Sequence, residues 1–139
     1  MNQGRPITAH PIGHVESALS HLAQAPRQGD EGAPDAWLVL DPAVTEGLDG
    51  LRAGDHVVVL TWLDRADRRT LSTRPRGDLS RPMQGVFSTR SPDRPNPIGL
   101  HRARIVEIDG ARVHLDALEA IDGTPVLDLK PALGGIGER

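Results

Sequence analysis

The stretch Ile98-Gly99-Leu100-His101-Arg102-Ala103-Arg104-Ile105-Val106-Glu107-Ile108-Asp109-Gly110-Ala111-Arg112-Val113-His114-Leu115-Asp116-Ala117-Leu118 holds two strand-like runs on either side of Asp109-Gly110. An Asp-Gly pair in that setting is a strong short-range hairpin signal. Outward from it the chain repeats the theme: short apolar runs broken by Gly, Pro and Asp, with little helical periodicity. Pro11 to Glu16 alternates apolar and polar residues and reads as a first strand, and Ala36 to Leu40 as a second. Asp55 to Leu63 contains the unbroken run Val57-Val58-Val59-Leu60, which suits a central strand buried on both faces. A second Asp-Gly, Asp122-Gly123, precedes another apolar run at Val126 to Leu129. The expected fold is all-β or β-rich, with one or two short helices. The best helix candidate is Pro42 to Leu48, with Asp41 as N-cap and Pro42 at the first helical position.

At 139 residues the chain fits one domain. Apolar residues make up 37%, and the only aromatics are Trp37, Trp62 and Phe87, so Val, Leu, Ile and Ala must build the core. The absence of cysteine excludes disulfides, thiolate nucleophiles and cysteine metal sites, and makes a reducing cytoplasm the default compartment. No basic stretch leads into an apolar run at the N-terminus, and no segment is long enough to span a bilayer, so no membrane role is expected. The net charge of −3 argues against avid, non-specific nucleic-acid binding. Its distribution is uneven: between Arg65 and Arg104 arginines far outnumber aspartates, a basic block suited to phosphates or carboxylates or simply to water.

The region between the first two strands, with Pro26, Gly29, Gly32 and Pro34, reads as loop. Asp64 to Gln84 is polar, arginine-rich and broken by Pro75, Gly77 and Pro82, which makes it a candidate mobile lid. The tail Gly134-Gly135-Ile136-Gly137 is expected to fray. GxGxxG, GxxxxGK[ST], HExxH and GxSxG are all missing, which disfavours dinucleotide folds, P-loops, zincins and serine hydrolases. His10 and His14 could share a strand face, but no metal site is expected from them. In Gly85 to Leu100, the prolines at 92, 95 and 97 fix φ and remove donors. That rigid connection can present Arg90, Arg94 and Asn96 to a ligand with little ordering cost.

The run Phe87-Ser88-Thr89-Arg90-Ser91-Pro92-Asp93-Arg94-Pro95-Asn96-Pro97-Ile98-Gly99 resembles the hallmark of the TsaA/TrmO family. Ile121-Asp122-Gly123-Thr124-Pro125-Val126-Leu127-Asp128-Leu129-Lys130-Pro131 resembles its second motif, Pro26-Arg27-Gln28-Gly29 its upstream segment, and Pro11 to Ser17 its first strand. The similarity runs from about residue 11 to residue 131, and a single domain spanning 1–139 is expected, without the extra C-terminal domain of the longer tRNA enzymes. The resemblance implies a small, non-Rossmann β-barrel that forms homodimers and uses S-adenosyl-L-methionine. Its cofactor contacts would fall on Pro26, Arg27, Gln28, Leu63, Asp64, Arg90, Leu100, Ile121, Asp122, Gly123 and Thr124, with Arg90 pairing with the carboxylate. No metal is required, and Asp64 or Asp122 is a candidate for taking up the acceptor's proton. The implied acceptor is N6 of threonylcarbamoyladenosine beside a tRNA anticodon, with Arg74, Arg76, Arg94, Asn96 and Lys130 as substrate-binding candidates. Leu63-Asp64 and Ala132 depart from the family pattern, and few aromatics are available to stack a base. A small molecule or amino acid derivative is therefore the alternative acceptor, and a cofactor-binding module without methyl transfer a third reading.

Overall fold

The computed structural model describes residues 4–20 and 32–133. Its elements are β1 (Gly13–Glu16), β2 (Ala36–Leu40), β3 (His56–Trp62), β4 (Ser72–Thr73), β5 (Gln84–Gly85), β6 (Ile98–Asp109), β7 (Arg112–Leu115) and β8 (Pro125–Pro131). Six of them close into a barrel in the order β1-β2-β7-β6-β3-β8, each pair antiparallel. Closure leaves none of the six with a free edge, so β3 is flanked by β6 and β8, as its apolar run requires. Along β3 and β6 the period-2 alternation sends Val57, Val59 and Thr61, and Gly99, His101, Ala103 and Ile105, to the buried side. With Val15, Leu38, Val113, Leu115 and Val126 these make an aliphatic interior. None of the three aromatics belongs to it, and Phe87 is 80% exposed.

The Pro42–Leu48 helix forms as a 3-10 helix, with the Asp41 carboxylate accepting from the Ala43 amide at 3.0 Å. The β6–β7 hairpin turns one residue later than Asp109-Gly110 suggested: Asp109 pairs with Arg112, and the two loop residues are Gly110 and Ala111. Only Gly110 has positive φ, the pattern of a type II′ turn in which glycine takes the first central place. The expected lid between Asp64 and Gln84 is not a plain loop. It leaves the barrel after β3, pairs β4 with β5 as a two-stranded ribbon, and turns at Pro75–Gly77. The upstream loop segment over residues 21–31 and the glycine-rich tail lie outside the described residues.

Candidate functional site

Four segments meet at the barrel end where β3 finishes. Trp62 pairs with Ile98 at the start of β6, and the Leu63 amide donates to the Pro97 carbonyl at 2.8 Å. β8 opposes Thr61 at Val126, and just before β8 the chain makes the turn Ile121-Asp122-Gly123-Thr124. Gly123, with φ +84°, occupies the position of a type II turn that demands positive φ. This turn is tied to β1: the Gly123 amide donates to the Val15 carbonyl, the Val15 amide to the Thr124 carbonyl, and the Ser17 amide to the Asp122 carboxylate at 3.0 Å. The amides of Asp122, Gly123 and Thr124 are thus all committed within the fold. A ligand edge meeting this turn would be read by carbonyl oxygens rather than N–H groups.

Leu63, Asp64 and Ile121 to Thr124 are thus carried to the same end of the barrel. Leu100 pairs with Leu60 two positions up the barrel and faces outward, half-exposed. Lys130 does not join them. It opposes Val58, roughly 10 Å along β3 from Thr61 at about 3.3 Å per residue, and its ammonium lies 3.4 Å from Asp128. Pro26, Arg27 and Gln28 fall outside the described residues.

The proline-braced loop leads into this same end, and its three candidate side chains do different things. Arg94 is turned inward: its guanidinium donates to the carbonyls of Val86, Thr89 and Ser91 at 2.9 to 3.0 Å. Asn96 accepts from Arg68, which also donates to the Pro95 carbonyl and lies over the Trp62 ring at 5.0 Å. Among the described residues no hydrogen bond or ion pair engages Arg90, which is exposed and available. On the ribbon, Arg74 donates to the Arg81 carbonyl and to the Met83 sulfur, while Arg76 sits in a left-handed conformation at φ 55°. Nearby, hydrogen bonds from the Ser80 hydroxyl and then the Ser80 amide hold the Asp78 carboxyl below its ordinary value. On the opposite flank of the barrel the Glu16 carboxylate raises the Arg112 guanidinium above its usual range.

One constellation escaped the sequence reading. Inside the barrel Thr61 Oγ1 lies 2.6 Å from His101 Nε2, and His101 Nδ1 lies 2.6 Å from Glu119 Oε1. Gly99 makes room for it, since a Cβ there would stand 2.3 Å from the Thr61 hydroxyl and 2.5 Å from Nε2. The order of groups is that of a hydroxyl–imidazole–carboxylate triad, but Thr61 is 0% exposed and cannot reach a substrate as a nucleophile. No local signal announced it, because Thr61, His101 and Glu119 lie far apart in sequence and only barrel closure joins them. A separate cavity of about 510 Å³ opens at the other end, among Gly47, Leu51, Asp55, His56 and Pro131, and contains none of the candidate residues. Among the described residues no three His, Asp or Glu side chains are grouped to hold a metal, and no helix is long and apolar enough to cross a membrane.

Fold and site together define a small closed barrel whose candidate loops gather at one rim. The chain belongs to the tRNA-methyltransferase O N-terminal domain family, whose model matches residues 14–136. It is 39% identical over 125 residues to a probable S-adenosyl-L-methionine-binding protein of Methanothermobacter thermautotrophicus, covering 90% of this chain and 89% of that protein. A probable S-adenosyl-L-methionine-binding protein of Halobacterium salinarum is 43% identical over 128 residues, with 90% and 98% covered. A crystal structure of TrmO from Pseudomonas aeruginosa superposes with a TM-score of 0.72 at 32% identity, covering 93% of this chain. The chain spans 57% of that TrmO chain.

Proposed function

We propose that this protein binds S-adenosyl-L-methionine and transfers its methyl group, with N6 of threonylcarbamoyladenosine in tRNA as the acceptor. The observation that carries the reading is the meeting, at one barrel rim, of Leu63-Asp64, the Ile121–Thr124 turn and the loop bearing Arg90, within a chain of this family. The residues fit such a ligand. Arg90 offers a free guanidinium for a carboxylate, the 121–124 turn offers carbonyl acceptors for an adenine amine, and Glu119 has a buried carboxylate oxygen with no partner among the described residues. The bound cofactor would supply an electrophilic methyl group on a sulfonium: the acceptor nitrogen would take the methyl in line as the C–S bond breaks, releasing S-adenosylhomocysteine, and would give up its proton. The protein's task is to align the acceptor behind that methyl and to exclude water. Of the two carboxylates considered for the acceptor's proton, Asp122 is held by the Ser17 amide, whereas Asp64 is exposed and unpaired among the described residues. Asp64 is the better placed.

Arginines 65, 68, 69, 74, 76 and 81 between β3 and β5 support a polyanionic acceptor, and such binding should weaken sharply with salt. Exposed Leu71, Leu79, Met83 and Phe87 on and beside the ribbon support burial against a second copy. Sedimentation of a dimer whose population falls on Leu79→Ser would bear this out, and a monomer at all concentrations would refute it. The acceptor is tested by offering labelled cofactor with threonylcarbamoylated and unmodified tRNA. Label entering only the modified tRNA is expected. Equal labelling of both would overturn the threonylcarbamoyl assignment, and turnover only on free threonylcarbamoyladenosine would overturn tRNA in favour of a small-molecule acceptor.

A further inference from the structure

We propose that Glu119 is the residue that recognises the positive charge of the cofactor, and that His101 and Thr61 are positioning residues that aim it. The inference rests on the S-adenosylmethionine reading above. Glu119 is 11% exposed, and its Oε2 is fully buried without a hydrogen-bond partner among the described residues. A buried carboxylate oxygen left unpaired is costly, and folded proteins keep few of them without a use.

The unpaired oxygen cannot relieve itself by rotation, because Oε1 is fixed to His101 Nδ1 at 2.6 Å. The His101 ring is fixed in turn by Thr61 at 2.6 Å, and Gly99 leaves no slack beside them. A carboxylate only accepts, so His101 Nδ1 donates to Glu119 Oε1, while Nε2 lies within hydrogen-bond distance of the Thr61 hydroxyl. Among the described residues no lysine or arginine pairs with Glu119, and a buried carboxylate oxygen left without a partner calls for a positive one.

Its location selects that partner. Thr61 lies two residues before Leu63 and opposes Val126 of β8, and Glu119 lies two residues before Ile121, so the chain of groups sits beneath the rim where those two segments meet. S-adenosylmethionine brings a sulfonium that its product, S-adenosylhomocysteine, lacks. Glu119 therefore sets the preference for cofactor over product, which favours methyl-donor loading and product release.

The test is calorimetric titration of the intact protein with both ligands, with thermal unfolding followed in parallel. In Glu119→Gln, which keeps the shape and the acceptor toward His101, affinity for S-adenosylmethionine should fall about tenfold, or ~1.4 kcal/mol, while S-adenosylhomocysteine is held as before. Thr61→Val should narrow the same ratio, and Thr61→Ser should restore it. Equal loss for both ligands, or an unchanged ratio in folded Glu119→Gln or Thr61→Val, would overturn the role of Glu119 while leaving the cofactor reading intact. Failure of the wild-type protein to bind either ligand would overturn both.

Discussion

Arg94 shows how a residue read as a ligand contact can turn out to brace the loop that carries the contact. Its planar fork reaches three backbone carbonyls at once, a geometry a lysine cannot copy. Arg94→Ala should lower stability by about 2–3 kcal/mol, because charge-assisted bonds to partly buried carbonyls are lost, and Arg94→Lys should recover little of it. Chemical denaturation of the three proteins checks this; wild-type stability in the alanine variant would refute the brace. Arg90, four residues earlier, has no such duty, so the two arginines of one motif divide into a support and a contact. Sequence could locate the motif but not make that division, since which guanidinium turns inward depends on where the Val86, Thr89 and Ser91 carbonyls point.

Among the elements, what could be read locally was read well. The Pro42–Leu48 helix has its whole signal in adjacent residues, and the structure keeps both the Asp41 cap and the proline start. Asp41→Ala should therefore cost about 1 kcal/mol, read as a drop in unfolding midpoint, with no loss contradicting the cap's role. The β6–β7 hairpin was legible, but its turn moved by one residue because the strand register, not the dipeptide, decides which two residues form the loop. The β4–β5 ribbon was not legible at all: strands of two residues carry no periodicity. Its carboxylate Asp78, depressed by Ser80, favours the folded turn above the ordinary carboxylate range and loses that contribution as pH falls through the depressed value.

At the scale of the molecule, barrel closure does what no local pattern foretells. It brings β8 back to β1 and β3, and so sets the 121–124 turn beside Leu63 and buries Glu119 against His101. The alternation along β6 already put His101 on the inner face with Gly99 and Ala103, but nothing in the chain said which distant carboxylate would meet it. The rim that results collects the Arg90 loop, the Asp64 carboxylate and the paired turn, while the 510 Å³ cavity at the other end stays outside the candidate site. Function is therefore predicted to reside at the rim. The most direct measurement is calorimetric titration of the purified protein with S-adenosyl-L-methionine, comparing wild type with Arg90→Ala. Saturable one-site binding, weakened about tenfold or more by loss of the Arg90 charge-assisted pair, is the predicted result. Absence of saturable binding by the folded wild-type protein would contradict it.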